Sequence, residues 1–314
     1  MIRRNDKVNV LSTVDYNRVR NFIMENARAL DVRVFAYLFE NGSQKEAAEE
    51  LAKFQNEDGG FGHGIEPDIR MPDSSPIATT VGLQYARKLK LTGGHRIVRK
   101  ALEYLNSEYD ESITGWHLLG KEVNDHPHAP WWSYDHEKGH CGVHGTWANP
   151  NAEITGYLHE YEGYVPNELI EKVTQKAREE LGTLPEEMEM HDFLCYKRLM
   201  ESVQSPFKEE IEEKLKKAVR KITKLNPGDW EGYGMKPLQA ADSPASPFFP
   251  LLKDEVKENL HYEMEKLREA GYASPNWSWF GKYEEEWVHA EKDWQGHLTV
   301  ELLKTLKEFG CLDD

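Results

Sequence analysis

One loop of the sequence combines side chains that could do acid–base chemistry. Residues 54–80 read FQNEDGGFGHGIEPDIRMPDSSPIATT, and the part after Gly62 contains His63, Glu66, Asp68, Arg70 and Asp73. Two neighbouring carboxylates disfavour each other's ionised form, so one can keep a proton and act as an acid while the other stays charged. We therefore expect Glu66, Asp68 and Asp73 to be catalytic, and His63 and Arg70 to bind substrate.

A second segment, DHPHAPWWSYD at 125–135, combines histidines with tryptophans. His126 and His128 flank Pro127, which favours stiff extended backbone, and their imidazoles suit a general acid, a general base or a proton relay. Trp131 and Trp132 provide aromatic walls of the kind that line ligand pockets. We expect both histidines to be catalytic and both tryptophans to contact substrate.

Further polar and aromatic groups lie at the starts of helical segments or in loops. We expect Glu153 to be a catalytic carboxylate close to Glu66 or Asp68. The expected substrate-binding groups in these segments are Asn149, Asn151, His191, Asp192, Trp277, Trp279 and Trp287. A helix N-cap would also explain Asp73, Asn149 or Asp192, because each stands just ahead of a predicted helix. Both interpretations stay open for these three residues.

A cluster of metal-binding residue types occurs in HEKGHCGVH at 136–144, but its spacing matches no standard zinc site. We therefore expect no metal at His136, His140, Cys141 and His144. We also expect no cofactor, apart from a divalent ion if the substrate is a diphosphate. Ser74 and Ser75 lack the Gly-x-Ser-x-Gly context of a nucleophile, which favours a helix-capping role.

The elements that must position these groups are helices, because the apolar spacing is helical almost everywhere. One kind is amphipathic and charge-rich, with a single buried stripe, and its predicted copies are 14–30, 43–54, 95–105, 166–181, 205–222 and 252–270. The other kind carries less charge and begins with a polar or proline-containing cap, and its predicted copies are 31–42, 73–89, 149–161, 190–203, 243–252 and 294–310.

Six alternating pairs predict an all-α ring, with apolar helices inside and charged helices outside, in a single domain of residues 1–314. The loops after charged helices also repeat: FQNEDGGFG (54–62) is followed by LNSEYDESITGW (105–116), LNPGDWEGYG (225–234) and GYASPNWSWFG (271–281). Such internal similarity indicates one supersecondary unit used several times. A ring of this kind would bring distant loops to one end of a central cavity.

The stretch EELAKFQNEDGGFG at 49–62 resembles the QW-type repeat of the terpenoid-cyclase and protein-prenyltransferase superfamily, which includes the squalene cyclases. The resemblance covers most of the chain as architecture, but only this first copy is a good motif. It implies a six-hairpin α/α toroid in which Gln55 and Phe61 tie an outer helix to its neighbour. Gly59, Gly60 and Gly62 are expected to supply positive φ angles.

Substrate chemistry does not carry over from this resemblance. The family's Asp-x-Asp-Asp proton-donor run is absent, and Asp192 and Cys195 in HDFLCY have the wrong spacing for its zinc-binding Asp-x-Cys pair. The resemblance therefore implies a fold, and function has to be argued from residue types.

Charge and composition restrict the partners. The formal net charge is −16, from 55 acidic and 39 basic residues, which argues against binding a phosphate backbone. No apolar run approaches the roughly 20 residues of a membrane span, and MIRRNDKVNV lacks the apolar segment of a signal peptide. Three scattered cysteines fit a reducing compartment. We expect a cytoplasmic protein with no nucleic-acid partner.

Two enzyme classes and one binding class follow. In an isoprenoid enzyme, tryptophan π faces would stabilise carbocations, and a carboxyl would act as acid or hold a divalent ion for a diphosphate. In a carbohydrate-active hydrolase, lyase or epimerase, paired carboxylates, histidine and tryptophan would meet the sugar's mixed surface. A non-catalytic ligand-binding toroid is the third class. We expect an enzyme acting on a small molecule in the cavity, with isoprenoid chemistry slightly ahead; the oligomeric state stays open.

Overall fold

A computed structural model of the chain describes residues 10–142 and 145–312. Within these residues the secondary structure is twelve α-helices and one short antiparallel hairpin, which confirms the all-α prediction. The helices are α1 (Thr13–Asn26), α2 (Ala29–Phe39), α3 (Gln44–Leu51), α4 (Pro76–Lys88), α5 (Arg96–Ser107), α6 (Ala148–Glu160), α7 (Asn167–Thr183), α8 (Met190–Met200), α9 (Phe207–Ile222), α10 (Pro237–Ala240), α11 (Lys253–Ala270) and α12 (Glu284–Glu308), and the strands are β1 (Tyr134–Asp135) and β2 (His140–Cys141).

Local chemistry explains where several helices begin and end. The Ser75 hydroxyl accepts a hydrogen bond from the Ala78 amide at 3.2 Å, and Pro76 occupies the first turn of α4. The capping role expected for Ser75 is thus confirmed. At the other end of a helix, Gly271 follows α11 with φ of 83°, the left-handed conformation that commonly stops a helix.

Two predicted helices differ from the structure. Residues 243–252 do not form an α-helix: only a 3₁₀ turn forms there, Phe249–Leu251. Pro244, Pro247 and Pro250 explain this, because proline lacks the amide hydrogen that an α-helix interior requires. Helix α12 begins at Glu284 rather than at residue 294, and three glutamates in its first turn suit the positive end of the helix dipole.

The described chain divides into two compact units. The first comprises 10–42, 216–278 and 288–312, and in it α1 packs on α2 and α11 while α10 packs on α11. The second comprises 43–142, 145–215 and 279–287, and in it α6 packs on α4, α7 and α8. Every predicted site residue except Trp277 belongs to the second unit.

Both expected kinds of helix occur in the second unit. Helix α6 is buried at every position from Pro150 to Leu158. Helix α5 buries one face, formed by Ile97, Val98, Ala101, Leu102, Tyr104 and Leu105, and leaves the other face charged. The covered helix α6 can therefore carry polar groups only where they find partners.

The repeat-like loop at 54–62 is a tight packing element. The Gln55 side-chain amide donates to the carbonyl of Ile97 on α5 and to the carbonyl of Gly59, both at 2.9 Å. The Phe61 ring is fully buried, and a side chain at Gly82 on α4 would collide with it. These contacts join α3, α4 and α5, which is the structural job that the resemblance implies for the two residues.

The glycines of this loop serve two different purposes. Gly59 has φ of 98°, as expected. The expectation is wrong for Gly60 and Gly62, which have no positive φ. A Cβ at Gly60 would lie 2.5 Å from the Ser74 side chain, and one at Gly62 would lie 2.2 Å from the Pro72 carbonyl oxygen, so both are glycines for lack of space.

Two further observations concern the described chain as a whole. None of its helices combines the length and the apolar character needed to cross a bilayer. Cys141, Cys195 and Cys311 are free thiols, and all three are buried.

Candidate active site around His128 and Asp68

The carboxylate loop that contains Asp68 and the histidine loop that contains His128 lie side by side. The Arg70 amide donates to the Pro127 carbonyl at 2.9 Å, and the Ala129 amide donates to the Asp68 carbonyl at 2.9 Å. These bonds form an antiparallel bridge centred on Ile69 and His128. The backbone therefore fixes the carboxylate loop against the histidine loop.

A third segment, residues 279–283, joins this pair of loops. The indole Nε1 of Trp279 donates to Asp68 Oδ1 at 2.7 Å, and both side chains are buried. The Glu66 carboxylate is buried in the same loop and accepts a hydrogen bond from the Asp68 amide.

Three side chains meet at a single point next to these segments. His128 Nε2 lies 3.0 Å from Ser133 Oγ and 2.9 Å from Lys282 Nζ. Lys282 Nζ also donates to Ser133 Oγ at 2.9 Å. We refer to these three residues as the Ser133–His128–Lys282 array. His128 is buried, whereas Ser133 and Lys282 are half-buried and reach towards solvent.

The hydrogen bonds of His128 assign its protonation. Its Nδ1 lies 2.6 Å from the His126 carbonyl oxygen, which can only accept, so Nδ1 carries the hydrogen and Nε2 presents a lone pair. Burial lowers the pKa of His128, and the Lys282 charge lowers it further. Burial also lowers the pKa of Lys282. The imidazole is therefore neutral near pH 7 and can accept a proton at Nε2.

The Tyr283 ring lies against the array, with further aromatic side chains in the same segment. The Tyr283 ring centroid lies 5.7 Å from that of His128, and Lys282 Nζ lies 5.1 Å from the Tyr283 centroid. Trp279 and Trp287 are in ring contact at 5.7 Å. Phe280 is 78% exposed. Polar groups able to move a proton thus lie beside aromatic surface.

Glu153 lies in a different environment from the one expected. Its Oε1 accepts from Gln84 Nε2 at 2.8 Å and from the Tyr157 hydroxyl at 2.7 Å, and its Oε2 accepts from Arg198 Nη1 at 2.9 Å. Among the residues that the structure describes, neither Glu66 nor Asp68 is a hydrogen-bonding partner of this carboxylate. Its partners come from α4, α6 and α8, so the buried Glu153 joins helices.

The capping interpretation is wrong for Asp73 and Asp192. Ser75 caps α4, and the Asp73 side chain is 67% exposed, with its carboxylate 3.9 Å from His126 Nε2. Glu189 caps α8 through a bond from the His191 amide. Asp192 is instead a buried residue of the first turn that accepts from Thr146 Oγ1 at 2.7 Å. Burial raises the pKa of Asp192 to about 6.

Asn149 and Asn151 lie at the start of α6. Asn149 does not cap a helix through any bond in the described chain, and its Oδ1 lies 3.8 Å from the Cys195 thiol. The buried Asn151 accepts from the Trp116 amide at 2.6 Å and donates to the Trp147 carbonyl at 2.8 Å. The oxygen and the nitrogen of the Asn151 side-chain amide thus both hold neighbouring backbone.

The other predicted binding residues are distributed around these features. His63 pairs with Asn56 Oδ1 at 2.8 Å, and His191 pairs with the Glu189 carboxylate at 2.9 Å. Trp131 and Arg70 are half-buried, and Gly64 leaves space for the Arg70 guanidinium. Trp132 is 7% exposed, and its indole nitrogen has no hydrogen-bond partner among the described residues. Trp277, in the first unit, contacts Trp294 edge-on at 5.1 Å.

The histidine–cysteine cluster forms the β1–β2 hairpin. His140 Nδ1 lies 2.9 Å from the carbonyl oxygen of Cys141, which is buried. His144 lies outside the described residues. Residues 10–142 and 145–312 contain no group of three or more histidines, cysteines and carboxylates arranged to hold a metal ion.

Sequence reasoning missed Ser133 and Lys282. Lys282 stands in FGKYEEE, a pattern typical of a solvated surface, and its contact with Ser133 spans 149 positions. Ser133 is the one serine or threonine in the histidine segment 125–135, and that proximity was the available signal.

Comparison of the chain with models of protein families, with curated proteins and with solved structures finds no match.

Proposed function

We propose that the chain is a small-molecule enzyme that uses the Ser133–His128–Lys282 array for acid–base chemistry on a hydroxylated substrate of the carbohydrate class. One observation carries the proposal: His128 Nε2 lies 3.0 Å from Ser133 Oγ while Nδ1 is oriented by the His126 carbonyl. A hydroxyl, a base and a group that orients the base, all within hydrogen-bond reach, form the arrangement that activates a nucleophile.

The proton path follows from these distances. His128 Nε2 accepts the proton of the Ser133 hydroxyl, or of a substrate hydroxyl that takes its place. The Lys282 ammonium, 2.9 Å from the same oxygen, stabilises the negative charge that develops there. The proton on Nε2 can then pass to the leaving group. Asp68 holds Trp279 and so positions the segment that carries Lys282.

Residue types favour a saccharide over a hydrocarbon. The array offers a hydroxyl, an imidazole and an ammonium group beside Tyr283. Burying such groups against a hydrocarbon would cost free energy unless each kept a polar partner. Sugar hydroxyls supply those partners, and sugar faces stack on aromatic rings.

An isoprenoid diphosphate is the second candidate. The highly exposed Phe280 stands two residues from the Lys282 ammonium, so an apolar surface adjoins a positive charge. The QW-type resemblance also supports this class. Such a substrate would bring a divalent ion to its diphosphate. A ligand-binding protein without turnover is the third alternative.

The proposal also includes the finer architecture and location. The six-hairpin α/α toroid is supported by the Gln55–Ile97 hydrogen bond in the repeat-like loop. A cytoplasmic location is supported by three free, buried thiols, and the absence of a nucleic-acid partner by the net charge of −16.

A fluorophosphonate reagent tests the array without knowledge of the substrate. Attack by Ser133 Oγ forms an O–P bond, releases fluoride and transfers the serine proton to His128. We expect modification at Ser133 by peptide mass spectrometry, slowed at least about 100-fold in His128→Gln. The exposed Ser112 provides an internal comparison. Modification that is equally fast in His128→Gln would remove the base from the proposal.

Ligand binding separates the substrate classes. The full-length chain is titrated with neutral and acidic oligosaccharides and, separately, with farnesyl diphosphate. We expect a saccharide to bind and Lys282→Met to weaken it at unchanged melting temperature. Binding of farnesyl diphosphate alone would favour the isoprenoid class. Saccharide binding without modification of Ser133 or any turnover would leave the binding-protein alternative.

A further inference from the structure

Lys282 is a half-buried lysine that has no counter-charge in the described chain. Its Nζ donates to His128 Nε2 and to Ser133 Oγ, each at 2.9 Å, and lies 5.1 Å from the Tyr283 ring centroid. Among the residues that the structure describes, no carboxylate forms an ion pair with this nitrogen. A nearby carboxylate favours the charged form of a lysine. The neutral partners of Lys282 stabilise its ammonium form less strongly.

Lys236 provides a direct comparison within the same chain. It is also half-buried, with 22% of its side chain exposed, and its Nζ lies 5.4 Å from the Tyr262 ring centroid. This Nζ, however, pairs with the Glu263 carboxylate at 2.8 Å. The two lysines thus share partial burial and an aromatic neighbour, and they differ in the counter-charge.

His128 gives Lys282 a neighbour that can take up a proton. The His126 carbonyl holds the imidazole hydrogen on Nδ1, so Nε2 presents its lone pair to the lysine. Burial lowers the pKa of Lys282, which increases the fraction of neutral amine at a given pH. A partly desolvated lysine beside a base has the properties of an amine nucleophile.

The surroundings of Lys282 favour a neutral ligand. Its neighbours Phe280 and Tyr283 are 78% and 38% exposed, so this segment can be reached from solvent. Three glutamates follow in the first turn of α12: Glu284, Glu285 and Glu286. Their negative charge opposes an anion at this position. An uncharged electrophile, such as a carbonyl group, meets no such opposition.

We infer that Lys282 is a nucleophilic amine that forms an imine with the aldehyde carbon of a neutral ligand, such as a sugar in its open-chain form. The ligand class rests on the proposed function, whereas the reactivity of the amine rests on the contacts of Lys282. Imine formation uses the neutral amine, and the path through Ser133 uses the ammonium form. The two are therefore separate reactions of one array.

The atoms of the imine reaction balance within the array. The lone pair of Nζ forms a bond to the carbonyl carbon, and the carbonyl π electrons move to the oxygen. His128 Nε2 carries one Nζ proton to this oxygen, which gives a carbinolamine. It then carries the second Nζ proton to the departing hydroxyl, the C–O bond breaks and water leaves. The imine forms without an oxidant or a reductant.

Reductive trapping of the full-length chain with D-glyceraldehyde and sodium cyanoborohydride tests this inference. The reagent reduces an imine to a secondary amine, which peptide mass spectrometry locates and quantifies. We expect Lys282 to be modified at least about tenfold faster than Lys236 at pH 7, and His128→Gln to slow only the reaction of Lys282, by about tenfold or more. In the parent chain, the rate at Lys282 should level off below pH 10.5, the ordinary lysine value.

Three outcomes would overturn the inference. They are modification of Lys282 no faster than that of Lys236, equal rates at Lys282 in the parent and in His128→Gln, and a rate at Lys282 that still rises above pH 10.5. The melting temperature shows that His128→Gln is folded, and the pH profile needs no variant. Fluorophosphonate modification of Ser133 without trapping at Lys282 would remove the imine alone, whereas trapping without modification of Ser133 would remove the serine path alone.

Discussion

Glu153 on α6 and Arg198 on α8 form an ion pair within the second unit, with Arg198 Nη1 donating to Glu153 Oε2 at 2.9 Å. The Glu153 side chain is 4% exposed and that of Arg198 is 32% exposed. Gln84 and Tyr157 occupy the other carboxylate oxygen. The bonds from Gln84 and Arg198 therefore connect α6 to α4 and α8, whereas the bond from Tyr157 lies within α6.

Replacement of Glu153 by Gln should lower the free energy of unfolding by about 2–4 kcal/mol. The change leaves Arg198 without its counter-charge, and the cost is below that of a fully buried pair because Arg198 is partly exposed. Urea denaturation measures it. Glu168→Gln, at an 80% exposed side chain of α7, should change stability by less than about 0.5 kcal/mol. A Glu153→Gln protein of parental stability that loses turnover would show a catalytic role instead.

Replacement of Gln55 by Ala should lower the free energy of unfolding by about 1–3 kcal/mol, because two hydrogen bonds are lost, one to the Ile97 carbonyl on α5 and one to the Gly59 carbonyl within the repeat-like loop. Thermal and urea unfolding measure the change. Fluorophosphonate modification of Ser133 should continue at the parental rate. Gln175→Ala on α7, where the amide donates to Glu179 one turn along the same helix, is the matched control. Full stability of Gln55→Ala would contradict the structural role.

Asp192 should make stability fall as pH rises. Burial raises its pKa in the folded chain from 3.8 to about 6, so between these values the folded state binds more protons than the unfolded state. Asp192→Asn keeps an acceptor for Thr146 and should be more stable than the parent by about 1–3 kcal/mol at pH 7, with the difference shrinking towards pH 4. Unfolding at several pH values measures it, with exposed Asp125→Asn as control. A difference independent of pH would exclude the titration of Asp192.

His128 should titrate below its ordinary pKa of 6.5 and carry its hydrogen on Nδ1 when neutral. Burial and then Lys282 lower this pKa, so Lys282→Met should raise it towards 6.5. As pH falls below about 6.5, the histidine becomes protonated in the unfolded chain before it does so in the folded chain. The contribution of His128 to stability is therefore present above about pH 6.5 and is lost as pH falls through the lowered pKa of the folded state. Nitrogen-15 NMR of the ring reports both properties. Observation of the Nε2–H tautomer would remove the base from the proposed mechanism.

Helices were predictable where local chemistry and periodicity agree. The serine and proline that open α4 and the glycine that ends α11 act within a few residues, so they are visible in the sequence. At 243–252 the apolar pattern was helical, but three prolines removed the necessary amides. For Gly60 and Gly62, the reason for glycine is a neighbour about a dozen residues away, which no local pattern reveals.

The sequence indicated which loops form the candidate site, but it did not indicate the contacts between their side chains. The carboxylate and histidine segments stood out by composition, yet their antiparallel pairing depends on tertiary packing. Glu153 resembled a catalytic acid because the residues around it in the sequence do not indicate its ion pair with Arg198. Lys282 resembled a surface residue because the residues around it do not indicate its contact with His128. Side chains that need a distant partner can be recognised only when that partner is in place.

The three buried thiols can report local unfolding of the regions around them. Thiol reagents attack the thiolate, and burial raises the pKa of Cys311 to about 11 and that of Cys195 well above its usual range. Each cysteine can thus react only while its surroundings are transiently open. The modification rate of Cys195 measures local opening around α8. The modification rate of Cys311 measures release of the segment around Cys311, where the Leu11 amide donates to the Cys311 carbonyl at 2.8 Å. Local motions of the two units can therefore be timed separately without introducing a label.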